Sequence, residues 1–195
     1  IPYREGVNQV PREMTRADMD AVIAQFVHSA KLAIEADFDM LELHMAHGYL
    51  LASFLSPVTN RRCDRYGGSL KNRMRFPLEI FDAIRAAFPH DRPVTVRISG
   101  TDWIDGGATI EEGVAFAQAL AARGCSALNV TSGGLDPVQQ QAEEQILPVL
   151  AGAERDLGEA LQLLQRARHG LCLYRARDDL DGSIFPAALC RDGGD

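Results

Sequence analysis

The sequence has 195 residues, 46% hydrophobic and 24% charged, with 27 acidic against 20 basic side chains and a formal charge of -7. That length gives room for about one domain with a sizeable core, and the acidic balance argues against a nucleic-acid partner. No apolar run approaches the ~20 residues of a membrane helix, and no basic-then-apolar N-terminus marks a secretory signal, so a cytoplasmic location without membrane contact is expected.

Three helix-then-strand units follow one another. The first begins at Thr15-Arg-Ala-Asp18, a capping-box-like start. Met19, Val22, Ile23, Phe26, Val27, Ala30 and Ile34 recur at three and four residues, which predicts an apolar stripe along a helix of about five to six turns. The stripe stops near Asp37, and Phe38 to His44 reads as a short strand. A second helix is predicted from about Ser69 to Phe88, with Phe76, Ile80, Phe81, Ile84 and Phe88 on one side and Pro89 and Pro93 after it. Val94 to Ser99 is the next strand. The third helix opens at Thr109-Ile-Glu-Glu112, the better capping box, and ends at Gly124, a natural left-handed cap. Ser126 to Thr131 is the strand after it.

Strands alternating with helices predict a parallel sheet. Each strand runs into a polar or glycine-rich loop: His44-Met-Ala-His47-Gly48-Tyr49, Ser99 to Gly107, and Thr131-Ser-Gly-Gly134. Ligands bind at the carboxyl ends of such strands in a (β/α)8 barrel and in a doubly wound sheet alike, so the pattern does not separate the two.

Chemistry concentrates in the first two loops. His44, His47 and Tyr49 bring three hydrogen-bonding groups within six residues, suited either to one carbonyl oxygen or simply to capping strand-end backbone. A metal site is the weaker reading, because His-x-x-His lacks the H-E-x-x-H arrangement and no third ligand is signposted. Arg97 stands between Val96 and Ile98 inside a strand, where a charge needs a partner. A salt bridge to Glu42 and an anion or carbonyl site are equally open. Arg61, Arg62, Asp64, Arg65 and Tyr66, then Gly67-Gly68, read as a solvated charge run with a turn. Neither G-x-G-x-x-G, a P-loop nor G-x-S-x-G occurs. Cys63, Cys125, Cys172 and Cys190 are scattered, without a zinc or iron–sulfur spacing, and fit a reducing compartment.

The run Leu41-Glu-Leu-His-Met-Ala-His-Gly-Tyr-Leu-Leu51 resembles the Old Yellow Enzyme family of FMN-dependent oxidoreductases. So do Phe54-Leu-Ser-Pro57, Asn60-Arg-Arg62, Asp64-Arg-Tyr-Gly-Gly-Ser-Leu70 and Asn72-Arg73. Val96-Arg-Ile-Ser99, Asp102, Gly106-Gly107, Ser132-Gly-Gly134 and the upstream Pro11-Arg-Glu-Met-Thr15 continue the likeness in order. It covers about residues 1–138. Pro11–Asp20 and Asp39–Arg62 look closest to the reductase-like part of fused salicylyl-CoA 5-hydroxylase or 2-aminobenzoyl-CoA monooxygenase proteins, which implies a flavoprotein monooxygenase domain in the full-length protein.

The resemblance implies a (β/α)8 barrel with FMN at its mouth, NADH or NADPH as reductant, and an α,β-unsaturated carbonyl or aromatic acyl-CoA substrate. His44 and His47 would hold the substrate carbonyl oxygen. Tyr49 would protonate the α-carbon, and Arg97 would lie against the flavin pyrimidine edge. No metal is implied. Asp37 stands where the family commonly has Gly, and Lys71 where an acid is usual.

Residues 139–195 do not continue the likeness. Residues 135–195 carry 11 of the 27 acids but only 6 of the 20 bases. Residues 139–168 have helical composition, with Ile146, Leu147, Leu150, Leu157, Leu161 and Leu164 as apolar positions, and the tail is expected to be helical or disordered. A barrel needs about 250 residues, and the chain starts at Ile1. The expectation is therefore the central part of a barrel domain over 1–138, followed by an unmatched extension or shifted reading frame. The alternative function is a truncated, non-catalytic remnant that does not hold FMN by itself.

Overall fold

The computed structural model describes residues 9–133 and the backbone of 145–148. Helix α1 (Arg16–Glu35) starts where the sequence places it: the Thr15 side chain accepts the Asp18 N–H, and the Asp18 carboxylate takes the Thr15 N–H at 2.7 Å. Its end is a Schellman motif. The Asp37 N–H bonds the Ile34 carbonyl and the Phe38 N–H bonds the Ala33 carbonyl, with Asp37 left-handed at φ 57. Phe38 is thereby spent on closing the helix, so β1 is Leu41–Met45, shorter than predicted.

After a six-residue helix α2 (Leu50–Leu55) that hydrophobic spacing did not announce, the predicted second helix forms in two pieces. These are α3 (Leu70–Arg73) and α4 (Arg75–Ala87), joined at Met74. Pro77 explains the break. It has no N–H to give to the Arg73 carbonyl, and as the third residue of α4 it sits where a helix needs no donor. The predicted stripe holds: Phe76, Ile80, Phe81, Ile84 and Phe88 are all buried. Strand β2 (Val94–Ser99) and helix α5 (Ile110–Ala121) follow as expected. Beyond α5 the Gly124 and Cys125 N–H groups bond Ala121 and Leu120, with Gly124 at φ 84. Strand β3 (Ala127–Thr131) is buried throughout.

At α5 only half the expected capping box exists. Thr109 accepts the Glu112 N–H, but the Glu112 carboxylate pairs with buried Arg73 instead of turning back to Thr109. The charge run at 61–68 also departs from a simple solvated face. The Arg62 side chain is largely buried, paired with Asp64 at 2.6 Å and donating to the Met14 carbonyl at 2.8 Å. Tyr66 is 4% exposed, and its hydroxyl accepts from Arg16 and donates to Glu79. Lys71 is on the surface.

β1, β2 and β3 are parallel neighbours in that order. The fourth strand corrects the expectation of a helical or disordered tail at one point: β4 (Gln145–Pro148) pairs antiparallel with β3. Covering the open hydrogen-bonding edge of a buried strand outweighs local helix propensity there. The remaining expectations for the tail lie outside the described residues.

Strand alternation sorts the sheet into two faces. Leu43, Met45, Val94, Val96, Ile98, Leu128 and Val130 join the helices in one core. Glu42, His44, Thr95, Arg97, Ser99, Asn129 and Thr131 alternate with them on the other face.

Candidate active site

That second face is polar, and its register is informative. His44 pairs with Arg97, and Arg97 with Asn129, so the three form one row across the parallel strands. Asn129 Nδ2 reaches across the middle strand to the Glu42 carboxylate at 3.3 Å. Burial holds the His44 pKa below the ordinary imidazole value, and the Arg97 charge pushes the same way, while Glu42 pulls against both. The shift favours the neutral His44 imidazole, which has one N–H to donate.

Past β1 the chain turns sharply. His47 and Gly48 are both left-handed, at φ 59 and 71. The conformation costs a residue with a side chain about 1–2 kcal/mol, and hydrogen bonds from the neighbouring strand ends offset it. The His47 N–H donates to Ser99 Oγ at 3.0 Å, Ser99 Oγ donates to the Gly133 carbonyl at 3.2 Å, and His47 Nε2 lies 3.1 Å from Thr131 Oγ1. The turn delivers Tyr49 to the start of α2, and the three rings meet. His44 and His47 centroids are 5.2 Å apart, and those of His44 and Tyr49 are 5.3 Å apart, edge to face. Tyr49 is 66% exposed.

The loop after β2 is closed by buried Asp102. Its carboxylate accepts the Ala108 N–H at 2.6 Å and its own N–H bonds the Ala108 carbonyl. Gly107 has no room for a side chain, because a Cβ there would lie 2.7 Å from that of Asp102. Trp103, the one tryptophan, sits on this loop at φ 56 and is half exposed.

All four residues singled out in the sequence thus lie at the carboxyl ends of adjacent strands. His44, His47 and Tyr49 form one cluster, and Arg97 stands in register beside His44. Sequence reasoning did not single out Ser99, Asn129 and Thr131. Their signal was the alternation of polar residues with the core positions of β2 and β3. Among the described residues no group of three side chains is placed to hold a metal ion, and no helix is long and apolar enough to cross a membrane.

A fixed cation flanked by an imidazole and a carboxamide, on the polar face of a parallel sheet, offers donors and positive charge to an electron-rich heteroaromatic edge. The chemistry fits the ring portion of FMN.

Residues 3–158 match the NADH:flavin oxidoreductase / NADH oxidase family. An NADPH dehydrogenase of Geobacillus sp. is 44% identical over 207 aligned residues, covering 100% of this chain and 60% of that protein. Among solved structures, 2-naphthoyl-CoA reductase bound to 2-naphthoyl-CoA is similar with a TM-score of 0.61 and 35% identity, over 66% of this chain and 20% of the other. Morphinone reductase bound to tetrahydroNAD is similar with a TM-score of 0.56 and 35% identity, over 63% of this chain and 34% of the other. The chain spans less than two thirds of the length of each of these proteins.

Proposed function

The chain belongs to the NADH:flavin oxidoreductase / NADH oxidase family, a family of the Old Yellow Enzyme type, and from that premise we propose that it takes part in NAD(P)H-dependent reduction of a conjugated carbonyl compound. The observation that carries the reading is the His44–His47–Tyr49 cluster at the end of β1, with Arg97 in register beside it.

When bound, FMN reduced by NADH or NADPH supplies the hydride that adds to the β-carbon of the substrate. His44 and His47 donate hydrogen bonds to the carbonyl oxygen, where negative charge builds as the double bond is reduced. A neutral His44 is suited to this, because it keeps an N–H without adding a full charge to the pocket. The Tyr49 hydroxyl delivers the proton to the α-carbon. Arg97 would hold the pyrimidine edge of the flavin and offer it a fixed positive charge.

The substrate we propose is an α,β-unsaturated carbonyl compound, free or as an aromatic acyl-CoA thioester. Both present the same oxygen to the two histidines. The likeness to 2-naphthoyl-CoA reductase supports the thioester form. The finer proposals are that residues 1–138 are the central part of an FMN-binding (β/α)8 barrel domain, related to the reductase part of fused salicylyl-CoA 5-hydroxylase proteins, and that the protein is cytoplasmic.

Titrating the purified chain with FMN tests the reading. Recovery of flavin absorbance on the protein, bleached by NADH or NADPH and restored by cyclohex-2-en-1-one or an aryl-CoA thioester, is the expected result, and the restoring compound identifies the substrate form. Protein that FMN fails to reconstitute overturns catalysis by this chain and leaves the remnant alternative.

A further inference from the structure

We propose that Thr131 is a positioning residue that fixes the tautomer of His47, so that the ring carries its proton on Nδ1 and offers that proton to the substrate. The inference builds on the placing of His47 at the carbonyl oxygen. Its first part, the tautomer, stands on geometry alone.

Thr131 ends β3 and is 5% exposed. Its carbonyl accepts the Gly100 N–H at 2.7 Å, which ties its backbone to the end of β2. A β-branched side chain in a strand has few rotamers, so the hydroxyl position is well defined. Across from it, the His47 backbone is pinned through its N–H to Ser99 Oγ. The ring nitrogen and the hydroxyl meet at 3.1 Å between two fixed backbones.

The direction of that bond follows from the cost of burial. Among the described residues His47 Nε2 is the one hydrogen-bond partner of the Thr131 hydroxyl. If the hydroxyl only accepted, its own proton would be buried unsatisfied. If it donates, only a lone pair is left over, which costs less. Thr131 therefore donates, Nε2 accepts, and in the neutral ring the proton resides on Nδ1. The left-handed backbone at His47 is then explained as well: it turns the ring so that one nitrogen is anchored on β3 and the other carries the donor.

Histidine-selective 15N NMR of the purified chain tests this, with the His47 signals assigned by their loss in His47→Gln. The chemical shifts separate protonated from unprotonated ring nitrogens. The expected result is a protonated Nδ1 in the unmodified protein and in Thr131→Ser, and a bias reduced about tenfold in Thr131→Val, the equivalent of one hydrogen bond. A protonated Nε2 in the unmodified protein, or unchanged shifts in Thr131→Val, overturns the proposal.

Stopped-flow on the FMN-reconstituted chain adds a second readout. Thr131→Val is expected to slow reoxidation by cyclohex-2-en-1-one about tenfold while leaving reduction by NADPH unchanged, with Thr131→Ser restoring the rate. If the tautomer shifts but reoxidation does not slow, the assignment to Thr131 holds and the place of His47 at the carbonyl falls.

Discussion

The ion pair between Arg73 and Glu112 is the contact whose removal is most informative about the fold. The Arg73 side chain is 4% exposed, and its three nitrogens reach a loop and two helices. Nε donates to the Gly68 carbonyl at 3.1 Å, Nη1 to the Leu55 carbonyl at the end of α2, and Nη2 to Glu112 Oε1 in the first turn of α5. Replacing Glu112 by Ala leaves a buried guanidinium without its counter-charge, at a cost of about 3–5 kcal/mol. Glu112→Gln keeps an acceptor in place and loses only the charge, so about 1–2 kcal/mol is expected. Arg73→Met strips the donor from two backbone carbonyls as well, at about 3–5 kcal/mol. Part of that loss returns if freed Glu112 turns back to the Thr109 N–H and completes the capping box. The double variant therefore costs less than the sum, with a coupling of about 2 kcal/mol. Urea unfolding followed by Trp103 fluorescence and far-ultraviolet circular dichroism gives each value. A coupling below about 0.5 kcal/mol, within ordinary additivity error, would show that Arg73 does not act through Glu112 and would refute the brace.

Tyr49→Phe is expected to slow substrate reduction by about 10²-fold or more, the range of a lost general acid, while sparing flavin reduction by the nicotinamide; equal slowing of both half-reactions speaks against the proton-donor role. Arg97→Met removes one of the two causes that hold the His44 pKa down, so an NMR titration of His44 should move upward, and an unmoved titration places Arg97 too far away to matter. At Asp37, Ala is expected to destabilise by about 1 kcal/mol because the left-handed cap penalises it. Glycine should be at least as stable as Asp37, whose ion pair with Arg92 is largely exposed and worth little; thermal melts order the three. Arg12 and Thr15 hold the Asp18 carboxyl below the ordinary carboxylate range. Its contribution is thus present above the unfolded carboxylate pKa and lost as pH falls through the folded one, and Asp18→Asn should flatten that part of the acid unfolding curve.

The parts of the fold legible in the sequence are those where local and tertiary preferences agree. Met19 to Ile34, and Phe76 to Phe88, show a 3.6-residue stripe because each helix turns one face to the shared core. β2 was legible to the residue because Pro93 bars a helix before it and Gly100 ends it. The misreadings share a cause: a local signal was spent on a different partner. Phe38 looks like the start of a strand, yet its N–H closes the Schellman motif of α1. Glu112 completes a capping box on paper, but Arg73, 39 residues earlier, takes its carboxylate. Residues 145–148 have helical composition, and the edge of β3 takes them as a strand. No window of a dozen residues contains the competing partner in any of these cases.

The site was legible to a different depth. His44, His47 and Tyr49 are close in sequence, and a single turn brings them together, so their spacing was enough. Arg97 left two readings open because spacing does not give register, and register sets it beside His44. Ser99 and Thr131 were less visible still. Small hydroxyl residues at strand ends are common, and their effect depends on the His47 backbone being left-handed, which no histidine announces. In the proposed reaction the histidines supply the donors, while Ser99 and Thr131 hold the His47 backbone and ring. A variant series confined to His44, His47 and Tyr49 would therefore measure the loss of donors and miss the alignment. Removing the hydroxyls one at a time, with the donors left in place, separates the two contributions.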